Sequence, residues 1–230
     1  MKRSKTLEVV VNTQVDYALP SRPAYVPGAE EIIVPGIEFL CSRNAGNSAG
    51  VLMVTNRWEA NEYGKSELAS KFRPHCLIGG WGDYDPVGVQ NVFSPTMIEQ
   101  RGLPVWTLHK RHENMWQLGR EGFLGTVHRM QGSNAEAWTL ADFVDEELRE
   151  AQVNTVNIWG VSSDDAVKKA ISGFLAHGFS VNVINNLCRH REVPIKQVIK
   201  QSFSRELAAK TVTLMKWETR RACTAAEYNF

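Results

Sequence analysis

The stretch Val156–Leu187, "VNIWGVSSDDAVKKAISGFLAHGFSVNVINNL", carries the pattern that decides the fold. The stretch begins with a mainly apolar run that is typical of a buried strand. A turn with two serines, Ser162 and Ser163, follows, and after it the pattern becomes helical. This helix is predicted from Asp164, and it ends at His177 and Gly178, a pair suited to a C-terminal cap. A second strand pattern follows, so the stretch predicts a parallel βαβ unit. Helical spacing predicts that the helix buries Ala166, Val167, Ala170, Ile171, Phe174 and Leu175.

The rest of the chain repeats this alternation of strands and helices. Further strands are predicted at "LEVVVNT", "GVLMVTN", "PVWTLHK" and "TVTLMKW", which gives about six in all. Helices are predicted at "AEEIIVPGIEFLCSRNAG", where Pro35 must start or interrupt the helix, and at "TLADFVDEELREAQ", with Thr139 as N-cap. Another is predicted at "VPIKQVIKQSFSRELAAK", with Pro194 near its first turn. The pattern predicts an α/β protein with a roughly six-stranded parallel sheet.

Two segments give no clear secondary-structure pattern. The region Arg57–Val92 is rich in glycine and loops, and a loop region of that length in a compact domain usually carries function. The segment "RHENMWQLGREGFLGTVHRMQGSNAEAWT" is treated as an insertion without an assigned structure.

Composition limits the function classes. The 230 residues suit a single α/β domain, 1–230, and a formal net charge of +1 gives no overall field that would favour a nucleic acid or a membrane as partner. "MKRSK" is basic, but the "TLEVVVNTQVDYALP" that follows lacks the apolar core of a signal peptide, so a cytoplasmic location is expected. No apolar run approaches the roughly 20 residues of a membrane helix.

Four distant cysteines, Cys41, Cys76, Cys188 and Cys223, predict buried thiols rather than disulfides or a zinc knuckle.

Four motifs in the same order give the chain a family resemblance. "VVVNTQVDYALP" resembles the first strand and loop, "VVxDxQxDF", of the nicotinamidase and isochorismatase-like cysteine hydrolases. "FRPHCLIGGWG" resembles their "FPPHCxxGTxG" loop, and "LHKRHENMW" their lysine segment "KxxxxxF". The opening stretch resembles "VxxxGxxxDYCVxxTAxxAxxxGYxVxVxxDA". The resemblance covers about residues 7 to 190 and leaves a C-terminal extension, about 194–230.

The resemblance implies a fold and a reaction. The fold is a three-layer αβα sandwich around a six-stranded parallel sheet, with the active site at the carboxyl ends of the strands, as is general for open parallel sheets. Members of the family hydrolyse amides such as nicotinamide, or the vinyl ether of isochorismate. A small aromatic amide is therefore the ligand that the resemblance suggests.

Two of the three catalytic positions implied by the resemblance are substituted. The nucleophilic cysteine falls at Ala166, whose methyl group cannot attack a carbonyl. The catalytic aspartate falls at Asn12, whose amide cannot act as a general base near neutral pH. The lysine is retained as Lys110. We expect neither neighbouring Asp165 nor a remaining cysteine to replace the lost thiol.

The metal positions of the family are also altered. Arg57 stands at the aspartate of the "DxH" motif and Glu59 at its histidine, while His75 of "FRPHC" is retained. Because an arginine among the ligands would repel a cation, we expect no metal cofactor, although a divalent metal held by Glu59 or Glu62 with His75 stays open as an alternative.

The resemblance also suggests residues that would form the pocket. Val161 and Ser162, with Ala166, fall where the family forms its oxyanion site at the start of a helix. Trp81 and Trp116 fall in matched loops and could stack on an aromatic ring, and packing alone explains them equally well.

Loss of the nucleophile and of the base predicts a pseudoenzyme with a binding, structural or assembly role. Such a protein is expected to form a homo-oligomer or to have an assembly partner, since these hydrolases commonly self-associate. The alternative is an active amide hydrolase of the family, either an active-site variant of a working enzyme or one that uses an altered site around Lys110.

Overall fold

The sheet contains eight strands in the computed structural model, which describes residues 5–85, 102–117, 125–129 and 137–218. The strands are β1 (Thr6–Val11), β2 (Ser48–Asn56), β3 (Val105–Lys110), β4 (Thr126–Arg129), β5 (Ala137–Thr139), β6 (Thr155–Gly160), β7 (Ser180–Cys188) and β8 (Val212–Met215). Their order across the sheet is β5-β4-β3-β2-β1-β6-β7-β8.

Six of these strands are parallel, as predicted. Neighbours from β3 through β2, β1, β6 and β7 to β8 pair in parallel register. The two additional strands, β4 and β5, extend the β3 edge by antiparallel pairing. Both come from the segment that the sequence left unassigned, where short strands between glycine-rich runs give too few residues for a periodic pattern.

The central strands are covered on both faces. In β1, Leu7, Val9 and Val10 are fully buried although successive side chains of a strand point to opposite faces. Consecutive buried residues of this kind require helices on both sides of a parallel sheet. The α/β fold class predicted from the sequence is therefore confirmed.

The helices connect the strands and lie largely where the sequence predicts them. They are α1 (Val15–Ala18), α2 (Ile33–Cys41), α3 (Ala60–Tyr63), α4 (Leu140–Asp142), α5 (Ala166–Ala176), α6 (Ile195–Ser202) and α7 (Ser204–Ala208). A π-helical turn, Phe143–Leu148, continues α4. The Thr139 hydroxyl accepts a hydrogen bond from the Asp142 backbone N–H at 3.1 Å, so the predicted N-cap is confirmed.

Two predicted helix boundaries are wrong. The helix after β6 begins at Ala166 rather than Asp164, because the Asp164 carboxylate accepts backbone N–H groups of Glu192 and its two neighbours in the loop after β7. The last predicted helix is two helices, since the buried Phe203 leaves helical geometry between α6 and α7. Pro194 precedes the first of them as N-cap.

Cysteines and apolar segments can be followed within the described ranges. Cys76 and Cys188 are buried, Cys41 is half-buried, and all three are free thiols. Cys223 lies outside the described residues, as does the rest of the C-terminal extension beyond residue 218. No helix in the described part of the chain has both the length and the apolar character needed to cross a membrane.

One close contact fixes α2 against the sheet. Trp159 of β6 is fully buried, and its indole ring lies against Gly36 of α2. A Cβ atom at Gly36 would be 2.5 Å from a ring carbon, closer than side-chain carbons can approach. Phe39 packs edge-on against the same indole, with 6.1 Å between ring centroids. The helix can therefore approach the sheet only because residue 36 has no side chain.

We expect Gly36→Ala to lower the free energy of unfolding by roughly 1–3 kcal/mol, the usual cost of overpacking a core, despite the higher helix propensity of alanine. Gly64→Ala is the matched control, because Gly64 has helical backbone angles and a Cβ atom there would have no neighbour within 4 Å. Urea denaturation of both variants measures the difference. Equal stability of the two variants would show that Trp159 yields to the added methyl group.

Candidate active site

The predicted catalytic positions lie at one edge of the sheet, at the carboxyl ends of adjacent parallel strands. Asn12 follows β1, Asn56 and Lys110 end β2 and β3, and Val161 follows β6. The register aligns Asn56 with Lys110, and the Val161 N–H donates to Val11 O at 2.9 Å. This is the edge at which open parallel sheets place their ligands.

The β1–β6 contact is unusually close at this edge. Gly160 has φ +126°, and a Cβ atom there would lie 2.1 Å from Val11 O. Only glycine allows the end of β6 to approach β1 in this way. The next peptide bond, Val161–Ser162, is cis. The approach brings the start of the Ser162–Ala166 turn next to the end of β1, which Asn12 follows.

Lys110 is a buried amine at the centre of the site. Its side chain is only 4% exposed, and Nζ donates a 2.6 Å hydrogen bond to Asn56 Oδ1. An amide oxygen offers no compensating negative charge, so burial lowers the pKa of Lys110 to about 7. Burial therefore favours the neutral amine more than in an exposed lysine.

Asn56, which sequence reasoning missed, is held in place by three further contacts. Its backbone N–H donates to Gln14 Oε1 at 2.8 Å, and Gln14 Nε2 donates to the Asn56 carbonyl at 2.7 Å. Asn56 Nδ2 also donates to the Tyr17 hydroxyl. The available signal was the polar residue that ends the apolar run "GVLMVTN", at the same edge as the lysine.

Asn12 presents an acceptor to the site. Its side chain is 2% exposed, its backbone has φ 52°, and its N–H donates to Val54 O at 2.8 Å. Within the described ranges, the buried Oδ1 has no hydrogen-bond partner. A buried acceptor without a partner is costly, so it favours a ligand or water that donates an N–H or O–H.

Ala166 is the first residue of α5 and is 4% exposed. The turn that leads to it is held by the Val167 N–H, which donates to Ser162 O at 3.1 Å, and by the Ser163 N–H, which donates to Arg189 O at 2.7 Å. The carboxylate of Asp165 forms an ion pair with Lys169, one helical turn further along α5. The start of the helix therefore presents a methyl group to the site.

The three metal positions of the family do not form a ligand set. Arg57 forms an ion pair with Asp83, with Nη2 2.8 Å from Oδ2, and Glu59 is exposed at the start of α3. His75 is buried, with Nε2 3.0 Å from the Tyr17 hydroxyl and Nδ1 2.9 Å from the Tyr63 hydroxyl. These residues do not fit a divalent metal, because the only imidazole among them is already hydrogen-bonded at both nitrogens. Within the described ranges, no three His, Cys, Asp or Glu side chains are grouped as metal ligands.

The acidic residue of the "QxD" motif has a structural contact. The Asp16 carboxylate accepts from the Cys76 backbone N–H at 2.7 Å and from Arg22 Nε at 2.8 Å. It therefore ties the "FRPHC" loop to the segment after β1. Gly82 packs directly on this carboxylate, since a Cβ there would lie 1.9 Å from Oδ2.

The two tryptophans predicted to line the pocket lie in different environments. Trp81 is 63% exposed, with the Arg22 guanidinium 5.0 Å from its ring centroid. Trp116 packs on α5, stacked on His177 at 4.8 Å and edge-on to Phe174 at 5.0 Å. Each ring already has a neighbour from its own chain.

A chain of ion pairs connects α5 with two loops. Glu113 Oε2 lies 3.3 Å from Lys169 Nζ and 3.8 Å from Lys71 Nζ, and Lys169 also pairs with Asp165. The lysines are substantially exposed, so these pairs add little to stability. Their effect is to hold the first turns of α5 beside the segment that follows β3.

Structural comparison relates this arrangement to known enzymes. A pyrazinamidase/nicotinamidase from Streptococcus mutans UA159 has a TM-score of 0.63 at 14% identity, with 92% of this chain and 100% of that chain covered. A pyrazinamidase of Pyrococcus horikoshii in complex with zinc has a TM-score of 0.62 at 16% identity, with 93% and 99% covered. An isochorismatase family protein from Desulfovibrio vulgaris has a TM-score of 0.59 at 18% identity, with 93% and 95% covered.

Comparison of the sequence with known families and curated proteins identifies no relative. No protein-family model matches the chain, and no curated protein matches it. The structural likeness extends over nearly the whole length of each chain at identities below 20%. The chain therefore has the isochorismatase-like hydrolase fold that these nicotinamidases and isochorismatase-family proteins share.

Proposed function

We propose that this chain is a catalytically inactive relative of the amide hydrolases that share its fold, and that it binds a small aromatic amide at the Lys110 site. The proposal is supported by the lack of a thiol or a carboxylate at the positions where covalent amide hydrolysis needs them, and by the pairing of Lys110 with the neutral amide of Asn56. Asn12 and Ala166 supply neither group.

The same residues can bind an amide. Lys110 Nζ is a donor for a ligand carbonyl, and the unpartnered Asn12 Oδ1 is an acceptor for a ligand N–H. Both side chains are almost fully buried, and hydrogen bonds to a ligand are stronger in such a site than in water. A primary amide carries both complementary groups, so binding requires no chemistry at residue 166.

Without a nucleophile, the expected loss of turnover is on the order of a million-fold relative to an active hydrolase. We expect no ammonia release from nicotinamide or pyrazinamide above the uncatalysed rate. The double variant Asn12→Asp, Ala166→Cys is expected to gain turnover, since it supplies a base and a thiol beside the retained lysine. An enzyme-coupled ammonia assay measures both proteins.

The single variant Ala166→Cys is the matched control, because its thiol lacks the carboxylate base and should stay far less active. Turnover by the natural sequence at an ordinary enzymatic rate would contradict the proposal. If none of the three proteins releases ammonia and none binds either amide, the proposed amide-binding site is wrong.

A second candidate function, an amide hydrolase with an altered site, is favoured by the lowered pKa of Lys110. A lysine amine with a pKa of about 7 is available as a base or nucleophile near neutral pH. In this case the natural sequence is active, and Lys110→Met abolishes the activity. The ammonia assay therefore separates the two candidates.

The charge state of Lys110 predicts a pH dependence of stability. Its folded-state pKa of about 7 lies below the ordinary value of 10.5, so between these values the unfolded chain binds more protons. Raising the pH from 7 towards 10 should therefore stabilise the natural protein relative to Lys110→Met, by roughly 1 kcal/mol per pH unit. Below pH 7 the full penalty of the buried charge is present.

Urea denaturation of both proteins at pH 6, 7.5 and 9 measures this difference. A difference that stays constant with pH would show that Lys110 keeps an ordinary pKa and that a charged partner reaches it.

We also propose that the chain self-associates. Ile78 and Trp81 are exposed apolar side chains on the same loop, and apolar patches of this kind favour protein contacts. Sedimentation equilibrium would give a dimer or larger assembly that Trp81→Asp weakens, and a monomer at all concentrations would exclude self-association.

A further inference from the structure

A cavity of about 430 Å³ lies outside the Lys110 site. One side is formed by Trp58 and by the segment that contains α3 and the turn after it, and the other by the segment that follows β3. Asn12, Lys110 and Ala166 are absent from its lining. The lining residues are Trp58, Glu62, Lys65, Ser66, Glu67, Arg111, His112 and Gln117.

Three hydrogen-bond donors of this lining are buried without a partner in the described part of the chain. They are the indole Nε1–H of Trp58, the hydroxyl of Ser66 and the Nε–H of Arg111. One acceptor of the lining, Glu62 Oε2, is also buried without a hydrogen bond, but it forms an ion pair with Arg111. Buried polar groups are normally hydrogen-bonded, so three unpaired groups around one cavity need an explanation. An acceptor inside the cavity provides one.

The Trp58 donor is held rigidly. The Trp58 side chain is only 3% exposed. Its backbone N–H donates to Cys76 O at 3.0 Å, and its carbonyl accepts from the Ile78 N–H at 3.0 Å. The indole also packs edge-on against Tyr63, with 5.5 Å between ring centroids. The donor is therefore positioned before any ligand binds, which lowers the entropy cost of binding.

The charge of Arg111 is paired, but one of its hydrogen-bond donors is still available. Its Nη1 forms an ion pair with Glu62, which occupies one edge of the guanidinium. The Nε–H lies on another edge and remains unpaired within the described ranges. The other charged side chains of the lining, Lys65 and Glu67, are exposed and opposite in sign. The cavity thus selects for acceptor oxygens rather than for a particular net charge.

We propose that this cavity is a second binding site, for a small molecule whose carboxylate or carboxamide oxygen accepts hydrogen bonds from Trp58 and Arg111. The volume is in the usual range for small-molecule pockets. The Ser66 hydroxyl provides a third contact to the same polar group. The site is separate from the amide-binding site proposed at Lys110, because its donors belong to different side chains.

The test is a titration followed in ¹H–¹⁵N spectra of the full chain, where the Trp58 indole and Arg111 Nε–H groups each give a resonance. Trp58→Phe assigns the indole signal. Benzoate and benzamide are the probes, and benzylamine, which has the same ring and no acceptor oxygen, is the control. We expect saturable shifts of both resonances with benzoate or benzamide and none with benzylamine.

Two variants test the assigned contacts. Ser66→Ala should weaken the affinity by about 3- to 10-fold, the effect of one lost hydrogen bond. Arg111→Gln should weaken it further. Ser70→Ala, an exposed serine on the same turn and outside the lining, is the matched control and should bind as the natural sequence does.

Three results would overturn the proposal. These are unchanged Trp58 and Arg111 resonances with both acceptor probes, equal shifts with benzylamine, and full affinity in both Ser66→Ala and Arg111→Gln. Shifts with only one of the two acceptor probes support the site and tell whether it prefers a charged or a neutral oxygen.

Discussion

The parallel register of β3, β2, β1 and β6 is the constraint on which the site depends. It aligns the ends of four neighbouring strands, so that residues far apart in the sequence meet at one edge. The close approach at Gly160 completes this edge by bringing β6 against β1. The fold therefore brings the ends of these strands together independently of which side chains occupy them.

The chemistry of the site depends on the charge and the hydrogen-bonding groups of the side chains at this edge. In this chain the buried Lys110 donates to an amide rather than to a carboxylate, and its burial favours the neutral amine. Asn12 offers an acceptor and Ala166 offers a methyl group. A carbonyl and an N–H can be bound by such residues, but no thiolate is available at residue 166 to attack the carbonyl. The proposed loss of activity is compatible with a retained arrangement of these positions, because the sheet positions the residues whether or not they can react.

Most of the fold could be predicted from the sequence because the six parallel strands are mostly apolar and separated by periodic helices. β4 and β5 could not, since strands of four and three residues carry no periodic signal. The predicted start of α5 was wrong because Asp164 resembles a helix N-terminal acid, whereas its carboxylate binds the backbone of a distant loop. Local sequence does not show such long-range contacts.

The candidate site was predictable only in part, for a related reason. Asn12, Lys110 and Ala166 were predicted from motifs; in the structure Asn12 follows β1, Lys110 ends β3 and Ala166 begins the helix after β6. Asn56 was missed because it stands outside the motif residues, although it accepts the hydrogen bond of the buried Lys110 amine. The cavity lined by Trp58 and Arg111 is formed by two segments that lie far apart in the sequence. No residue spacing in the sequence predicts that these segments meet.

The most direct test of the central claim is one NMR experiment on nicotinamide incubated with the purified chain. Saturation transfer from the protein reports binding, and the ligand signals themselves report conversion to nicotinate. We predict saturation transfer to nicotinamide that Lys110→Met reduces, with no nicotinate after many hours. Steady formation of nicotinate would contradict catalytic inactivity, because it would show that Lys110 or a water activated by it carries out the hydrolysis without a thiol at residue 166.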